Sequence, residues 1–388
     1  MKNRKVGIMS MQRVHNYGSF LQAYGLKSIV EKLGFEVEFI DYKFEKSLIN
    51  QNDNKLKEKF KKIFKNINFC EYIKLKINLK KFNNIFEKEY LPILGINETK
   101  NFNNDLDYLI IGSDEVFNCM QEYPVGYSRN LFGKGFEKSK IISYAGSFGY
   151  TKYQDLIDHR IDKEISDFFY KFRAISVRDE NSYDTVYKLT GIKSNLNLDP
   201  VLISNFPKSN VKIELKDYII IYAYPRRFSK KEEKFIKKFA KKYNKKIVSL
   251  GIYQRIADEN IIINPLEIFE YFRKADYVIT DTFHGTIFSI KMNTNFCTLV
   301  RKSNRNKLSF LLKQLGQEER MIDNIQDIEN LYNKKIDFTN TNKLIKSETD
   351  KSFEYLKENL LDGWERWYVK KINVQVVLLV IIYALKMQ

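Results

Sequence analysis

Several short apolar segments end in small or polar residues, and this feature limits most strongly how the chain can fold. The first is Val6-Gly7-Ile8-Met9, followed by a polar turn and by apolar residues at helical spacing between about Gly18 and Leu33. Asn16 suits the N-cap of that helix, and Gly34 stands where a helix stops. The alternating segment Glu36 to Tyr42 comes next. This order of strand, helix and strand predicts a βαβ unit and therefore a parallel sheet.

The same alternation continues along the chain. Further strands are predicted at 108–111, 141–144, 174–177, 218–222, 246–250 and 277–280, with helices at 162–172, 230–242 and 265–274. A lysine-rich stretch with aromatic residues at helical intervals predicts a helical insertion near 46–90. The chain of 388 residues is too long for one ordinary core, and residues 204–212 lack periodicity, so we place a domain boundary there.

The predicted fold class is α/β, with two doubly wound, Rossmann-like domains that face a cleft. We expect an N-terminal domain at 1–205, a C-terminal domain at 212–345 and a helical segment at 346–388. In doubly wound sheets, ligands bind beyond the carboxyl ends of the strands. The functional residues are therefore expected where the apolar segments end.

The net charge is strongly positive, with 66 Lys and Arg against 48 Asp and Glu. Nucleic acid, an anionic membrane or a phosphorylated substrate would each suit such an excess. Lysine is frequent throughout, including the solvent-facing helix at 230–246, and no basic and aromatic platform or DNA-reading helix stands out. No nucleic-acid partner is predicted.

The cysteines and the two ends of the chain bear on its location. Cys70, Cys119 and Cys297 are too far apart for a disulfide framework or a zinc site, and no secretory signal opens the chain, so a cytoplasmic location is expected. The apolar run Val376 to Leu385 has ten residues, whereas a membrane span needs about 20. No transmembrane helix is predicted. The run is either a packing helix or a peripheral anchor at the inner face of an anionic membrane.

His284 and Arg178 are the leading candidates for chemistry. His284 follows the strand at 277–280 and precedes a predicted helix at 286–291. A neutral imidazole there can exchange a proton, and an imidazolium can bind phosphate; the alternative is a buried histidine bonded to a carbonyl. Arg178 closes the strand at 174–177, and its guanidinium suits a carboxylate or phosphate; the alternative is a structural pair with a neighbouring acid.

Other polar residues at strand ends have simpler interpretations. Asp114 and Glu115 resemble the carboxylate pair of a glycosidase, but capping of the next turn is the simpler and favoured role. His15 and His159 are expected to be surface or packing residues, although His15 also lies at a strand end.

Four strand-end segments carry a family resemblance. They occur in the order His15 to Tyr24, Ile111 to Asn118, Ser176 to Ser182 with Leu198-Asp199-Pro200 following, and Thr280 to Thr286. With them the chain resembles the polysaccharide pyruvyl transferase family over about residues 6–316. Two positions depart from the pattern: glutamine is more usual at Glu115, and well-studied members have arginine where this chain has Thr282.

The resemblance implies a glycosyltransferase-B-like fold and a role in cell-surface polysaccharide biosynthesis. The donor would be phosphoenolpyruvate, the acceptor a saccharide or lipid-linked saccharide, and no cofactor or metal would be needed. His284 would be the acid or a phosphate ligand, and Arg178 would hold the carboxylate or phosphate of the donor. The implied substrate-binding positions in the matched segments are Asn16, Tyr17, Gly18, Gly112, Ser113, Asp114, Glu115, Asp281, Thr282 and Phe283. Arg301, Lys302 and Arg305, in a basic loop, are candidates to supply the charge that Thr282 lacks.

Two other functions stay open at this point. A glycosyltransferase that uses a sugar nucleotide would need the same two-domain cleft, with the donor held by the second domain. A non-catalytic carbohydrate-binding protein would need the cleft but no acid, so activity that depends on His284 would exclude it.

Overall fold

The computed structural model describes residues 4–49, 69–121, 127–301 and 304–361 and contains two parallel sheets, each covered by helices. The N-terminal sheet has the order β2-β1-β3-β4-β5-β6, and every pair in it is parallel. Its strands are β1 (Lys5–Met9), β2 (Glu36–Phe39), β3 (Tyr108–Asp114), β4 (Lys140–Gly146), β5 (Ser176–Val177) and β6 (Asn195–Leu196).

The C-terminal sheet repeats this plan with the order β12-β11-β10-β7-β8-β9, again parallel throughout. Its strands are β7 (Tyr218–Tyr222), β8 (Lys246–Leu250), β9 (Glu259–Ile261), β10 (Tyr277–Thr280), β11 (Phe296–Leu299) and β12 (Met321–Ile322). The two sheets lie on either side of the segment in which the domain boundary is predicted. The predicted fold class, two doubly wound α/β domains, is confirmed.

The helices fill the connections between the strands. They are α1 (Tyr17–Lys32), α2 (Phe69–Ile85), α3 (Tyr153–Asp158), α4 (Asp162–Phe169), α5 (Glu180–Thr190), α6 (Pro200–Ile203), α7 (Lys230–Lys242), α8 (Ile268–Lys274), α9 (Phe283–Lys291), α10 (Arg305–Gln314), α11 (Ile328–Tyr332) and α12 (Thr339–Leu360). None of these combines the length and the apolarity that crossing a bilayer requires.

Two predicted segments fall partly outside the described residues. The predicted insertion near 46–90 contains α2, which continues into a π-helical turn at Phe86–Tyr90, whereas residues 50–68 are not described. The apolar run at 376–385 lies wholly outside the described residues, and the predicted segment at 346–388 is represented by the end of α12.

Local chemistry explains where the first helix begins and why the central strands are apolar. The Asn16 side chain accepts a hydrogen bond from the amide of Ser19 at 2.7 Å, which caps α1. Gly34 has φ +93°, so the turn after α1 uses a conformation that favours glycine. The first six residues of β3 are buried because helices cover both faces of the sheet.

Each sheet changes direction next to its first strand. The chain runs from β1 to β2 on one side and then crosses to β3 on the other side of β1; likewise it runs from β7 through β8 to β9 and then crosses to β10 on the other side of β7. A crevice forms at the carboxyl ends of two strands that flank such a switch point. The residues after β1 and β3, and after β7 and β10, are therefore placed to bind a ligand.

The two domains are joined by buried contacts. The hydroxyl of Tyr17 in α1 donates to the carbonyl of Ile263 at 2.9 Å and accepts from its amide at 3.0 Å. Helix α12 begins against the C-terminal domain, where Gln317 donates to Thr341 at 2.7 Å, and ends against the N-terminal domain, where the Tyr355 hydroxyl donates to the carbonyl of Ser143 at 2.8 Å. The chain thus returns to the first domain after completing the second.

Candidate active site

A cavity of about 340 Å³ lies between the two domains, at the carboxyl ends of the strands that flank both switch points. Its volume is within the range typical of small-molecule sites. Eight of the residues predicted from sequence line it: Asn16, Asp114, Glu115, Arg178, Asp281, Thr282, Phe283 and His284.

Arg178 is the centre of a buried charge cluster. Its Nη1 lies 3.0 Å from Oδ2 of Asp199, and its Nη2 lies 3.1 Å from Oδ1 of Asp114. The Arg178 side chain is only 2% exposed, and the ring centroid of Phe283 lies 4.3 Å from the guanidinium carbon. Both terminal nitrogens of Arg178 are therefore occupied by carboxylates, which leaves its Nε as the buried nitrogen without a partner among the described residues.

The carboxylates of this cluster are held in their charged form. Burial alone would raise the pKa of Asp114, but Arg178, His284 and the Ser19 hydroxyl hold it below its ordinary value. Burial likewise opposes ionisation of Asp199, but His284, Arg178 and the Val201 amide hold its pKa below the ordinary value. The cluster is thus a set of opposite charges that stabilise one another inside the protein.

The backbone places Asp114 by bringing two strands unusually close. Gly112 has φ +123°, and a Cβ at this position would lie 2.2 Å from the carbonyl oxygen of Tyr144 on β4, so only glycine fits. Ser113 is buried behind the cavity, where its hydroxyl donates to the carbonyl of Ala145 at 3.0 Å. Both residues lie behind the cavity wall.

His284 reaches the same cluster from the other domain. Its Nε2 lies 3.6 Å from Oδ2 of Asp199 and has no hydrogen-bond partner among the described residues. A Cβ on Gly18 would lie 2.2 Å from Nδ1 of His284, so the start of α1 packs directly against the imidazole. The predicted helix start at 286 is wrong, because the Thr282 hydroxyl accepts from the Gly285 amide at 3.0 Å and caps a helix that already includes His284.

A second ion pair crosses the cleft. Nζ of Lys307, in α10, lies 2.6 Å from Oε1 of Glu115, whose other carboxylate oxygen accepts from the Asn118 amide group at 2.7 Å. Burial opposes both charges, but each supports the other, so the pKa of Glu115 is lowered and that of Lys307 is raised. This pair links the two domains at the cavity.

The segment that follows β7 supplies one more cation. Nε of Arg227 lies 2.7 Å from Oδ2 of Asp281, whose side chain is fully buried and whose Oδ1 has no partner among the described residues. Burial raises the pKa of Asp281, against the opposing effect of Arg227. Arg301 lies behind this segment, where its Nη2 donates to the Arg227 carbonyl at 3.3 Å and its Nη1 lies 2.9 Å from Glu232.

The other predicted residues that the structure describes lie outside the cavity lining. Tyr17 and Gly18 pack between the domains, as described above. Arg305 is paired with Asp323. Lys302 lies outside the described residues. Of the basic positions proposed in that loop, Arg301 contacts the segment after β7. Arg305 instead pairs with Asp323, which does not line the cavity.

Sequence reasoning missed three charged residues of this site. No site role is predicted from the sequence for Asp199, although it stands in the matched segments, nor for Arg227 or Lys307. A usable signal exists for Arg227, since Tyr224-Pro225-Arg226-Arg227 is a polar turn directly after an apolar strand. None exists for Lys307, which belongs to an ordinary amphipathic helix. No cluster of three or more metal-ligating side chains occurs within the described ranges.

The family model described as polysaccharide pyruvyl transferase matches residues 16–303, which is most of the chain. No curated protein matches the chain in sequence. Among solved structures, S. aureus MnaA in its co-structure with UDP is 11% identical, covers 93% of this chain and 98% of its own, and has a TM-score of 0.47. The Methanocaldococcus jannaschii UDP-GlcNAc 2-epimerase in complex with UDP-GlcNAc and UDP is 12% identical over 89% of this chain and 99% of its own, with a TM-score of 0.41. The glycosyltransferase SnogD from Streptomyces nogalater is 8% identical over 91% and 96%, with a TM-score of 0.42.

Proposed function

Since the chain belongs to the polysaccharide pyruvyl transferase family, as the match over residues 16–303 establishes, we propose that it transfers the pyruvyl group of phosphoenolpyruvate onto two hydroxyl groups of a saccharide. The product is a cyclic ketal. His284 is the proposed proton donor, and the acceptor is proposed to be a saccharide or a lipid-linked saccharide of a cell-surface polysaccharide.

One observation carries the proposal: an imidazole and a guanidinium that line the cavity from different domains meet at one buried carboxylate. Asp199 lies 3.0 Å from Arg178 and 3.6 Å from His284. A donor bound there would have a titratable imidazole beside it and cations around it. Acid catalysis of an anionic substrate needs this combination.

The proposed reaction proceeds in balanced steps. His284 delivers a proton to the methylene carbon of phosphoenolpyruvate, which becomes a methyl group and leaves a cation at the central carbon. A saccharide hydroxyl adds to that carbon, phosphate leaves with the bridging oxygen, and a second hydroxyl closes the ring. The two hydroxyl groups release two protons, of which one restores His284 and the other is taken up by phosphate.

Donor binding is the first test. Phosphoenolpyruvate at a concentration of about 100 times its dissociation constant should stabilise the folded protein by about 2.7 kcal/mol, because it binds only the folded state. Thermal unfolding should be followed with phosphoenolpyruvate and, separately, with UDP-sugars. Stabilisation by a nucleotide sugar but not by phosphoenolpyruvate would contradict the proposal and favour a glycosyltransferase.

Turnover is the second test. The protein should be incubated with phosphoenolpyruvate and a panel of saccharides, and release of phosphate should be measured together with the mass of the saccharide. Phosphate release with formation of a pyruvylated product is the expected result. Phosphate release without a pyruvylated product would point to hydrolysis instead.

A further inference from the structure

Among the residues that the structure describes, Arg178, Arg227 and Lys307 are the lysine and arginine side chains that line the cavity, and they differ in how far carboxylates already neutralise them. Arg178 faces Asp114 and Asp199, Lys307 faces Glu115, and Arg227 faces Asp281. An anionic ligand binds most readily to a cation with donors to spare, because every protein carboxylate that it displaces must itself be rehydrated or paired.

We propose that Arg227 is the residue that holds the phosphate group of the donor. This assignment rests on the proposed function, since phosphoenolpyruvate is taken as the donor. It gives the phosphate-binding role to the segment after β7, and it differs from the roles predicted from sequence for Arg178, Arg301 and Arg305.

Arg178 is poorly placed to bind the phosphate directly. Both of its terminal nitrogens are within 3.1 Å of carboxylate oxygens, and its side chain is almost completely buried. A phosphate bound at these nitrogens would either face the Asp114 and Asp199 carboxylates at close range or displace one of them, and a displacement would leave a buried charge unpaired. Arg178 therefore fixes the carboxylates and, through Asp199, the place of His284.

Lys307 is also committed. Its Nζ lies 2.6 Å from Glu115, and that pair joins the two domains. A phosphate bound there would face the Glu115 carboxylate at close range, and like charges repel.

Arg227 differs from the other two cations because, among the described residues, both of its terminal nitrogens are free of carboxylate partners. Only its Nε is bonded to a side chain, and its two terminal nitrogens have no partner in the part of the chain that the structure describes. Its side chain is 32% exposed and lines the cavity. A guanidinium fixed through Nε presents its remaining N–H groups as a fork that matches phosphate oxygens.

The surroundings hold Arg227 in this position. Asp281 anchors its Nε, and Arg301 bonds its carbonyl oxygen while pairing with Glu232 in the first turn of α7. Arg227 also lies in the turn that follows β7, at the switch point of the second sheet. Arg301 is thus a positioning residue for the segment and does not itself reach the cavity lining.

The chain supplies a matched control for the test. Arg226 is the neighbouring residue in the same turn; it is exposed and lines a different cavity, beside Phe228 and Arg255. Binding of phosphoenolpyruvate should be measured by calorimetry for the full chain, for Arg227→Gln and for Arg226→Gln. We expect the affinity to fall about 10-fold or more in Arg227→Gln, as for loss of a charge-assisted bond, and to stay within about 2-fold in Arg226→Gln.

A second variant covers the case in which Arg227→Gln folds poorly because Asp281 is left buried without its partner. The double variant Arg227→Gln with Asp281→Asn removes both charges, and it should fold and show the same loss of affinity. The salt dependence of binding should also be shallower in both variants than in the wild type. Affinity in a folded Arg227 variant within 2-fold of the wild type, or an equal loss in Arg226→Gln, would overturn the inference.

Inorganic phosphate separates this inference from the proposed function. If the wild type binds phosphate but not phosphoenolpyruvate, the proposed donor is wrong. Loss of phosphate binding in Arg227→Gln but not in Arg226→Gln would still support the assignment of Arg227. Phosphate binding that is unchanged in Arg227→Gln contradicts the assignment of Arg227. A wild type that binds neither phosphate nor phosphoenolpyruvate contradicts it as well.

Discussion

At the scale of single residues, the dominant feature is a guanidinium held between two buried carboxylates. Taking ions out of water is costly, and the cost is offset only when the charges are paired at close range. Arg178, Asp114 and Asp199 satisfy this condition, and Ser19 adds a hydrogen bond at 2.8 Å to Asp114. Removal of Arg178, the cation of this group, should therefore lower the free energy of unfolding much more than loss of a surface ion pair would.

Arg178→Met tests this expectation. We expect a loss of about 3–5 kcal/mol in the free energy of unfolding at pH 7, since two buried carboxylates lose their cation. In the wild type, the lowered pKa values of Asp114 and Asp199 give stability that is present above their ordinary pKa near 3.8 and is lost as the pH falls through the lower folded values. Without Arg178, its main stabilising charge, burial should raise the pKa of Asp114 instead, so the stability of the variant should rise relative to that of the wild type as the pH falls from 7 to 5.

The control for Arg178→Met is Arg129→Met. Arg129 also pairs with two acids, Glu45 and Glu164, but its side chain is 31% exposed. Loss of the Arg129 guanidinium should lower the free energy of unfolding by about 1 kcal/mol or less. Urea unfolding at pH 7 and pH 5 measures both variants, and equal losses or parallel pH profiles would show that the Arg178 cluster is not a stabilising one.

His284 gives the most specific prediction for the reaction. If it is the proton donor, His284→Ala should lower turnover by about 10²- to 10⁴-fold while phosphoenolpyruvate affinity changes little. If it only binds phosphate, affinity should fall instead and His284→Asn should restore much of it, because an amide still donates a hydrogen bond.

His159 is the natural comparison for His284. It is exposed and bonds the Asp155 carbonyl at 2.7 Å, so His159→Ala should leave turnover and binding unchanged. Near-normal turnover in folded His284→Ala would remove His284 from the mechanism.

At the scale of elements, the short helix α6 and the helix α9 are tied together at both ends. Asp199 caps the start of α6 and lies beside His284 at the start of α9. At the other ends, Nζ of Lys291 in α9 donates to the carbonyls of Leu202 and Ser204 at 3.2 and 2.8 Å. Lysine at this position satisfies carbonyl groups at the end of α6 and fixes the imidazole relative to the N-terminal domain.

Lys291 should also make stability depend on pH. Burial lowers its pKa from 10.5 to about 8, so between these values the unfolded chain binds a proton that the folded protein has released. Stability from this residue therefore rises with pH above about 8, and the neutral amine still has two N–H donors for the two carbonyls. From pH 7 to pH 9, wild type should gain up to about 1 kcal/mol relative to Lys291→Met.

Lys242→Met is the control for Lys291→Met. Lys242 ends α7 and pairs with Glu329 at the surface, with 55% of its side chain exposed. Between pH 7 and pH 9, the wild type should show no such gain in the free energy of unfolding relative to Lys242→Met. Identical pH profiles of the free energy of unfolding for wild type and Lys291→Met would contradict the prediction.

Periodicity predicted most of the long elements, because burial on both faces of a sheet leaves apolar runs and helices leave a 3.6-residue spacing. It did not predict β6, β9 and β12, which are two or three residues long and too short to show a period, and it also did not predict β11. The placement of β7 beside β10 was not predictable either, since strand order depends on contacts between distant parts of the chain. This bears on Arg227: the polar turn after a strand is a signal in the sequence, but the position of β7 at a switch point is what distinguishes this turn from the others.

The candidate site was predictable where a strand end and the site coincide. Asp114, Arg178 and His284 each follow a predicted strand, and all three line one cavity. Their chemical roles stay predictions. The fold class and the family resemblance are confirmed, the latter by the match over residues 16–303.

At the scale of the whole molecule, α12 connects the two domains by contacts at both of its ends. Its last turns pack on the N-terminal sheet, where Ser352 accepts from Asn197 at 3.2 Å and the Tyr355 ring lies 6.3 Å from that of Tyr144. Stability of the first domain should therefore depend on residues from the far end of the described chain.

Tyr355→Phe tests this dependence. The variant leaves the Ser143 carbonyl without a buried donor, so a loss of about 1–2 kcal/mol is expected, together with faster hydrogen exchange in β4. The control is Tyr170→Phe, whose exposed hydroxyl bonds the Thr190 carbonyl at 2.9 Å and whose loss should cost about 0.5 kcal/mol or less. Equal losses in the two variants, or exchange unchanged in β4, would show that α12 does not support the first domain.

The return of α12 to the first sheet also sets an order of events during translation. Asn197 leaves the ribosome 155 residues before its partner Ser352, and Ser143 leaves 212 residues before Tyr355. Throughout that interval the nascent N-terminal domain keeps the surface for α12 open, although domains generally fold in the order of synthesis. The first domain is begun first but completed last, so a chain whose synthesis stops before α12 emerges keeps this surface uncovered.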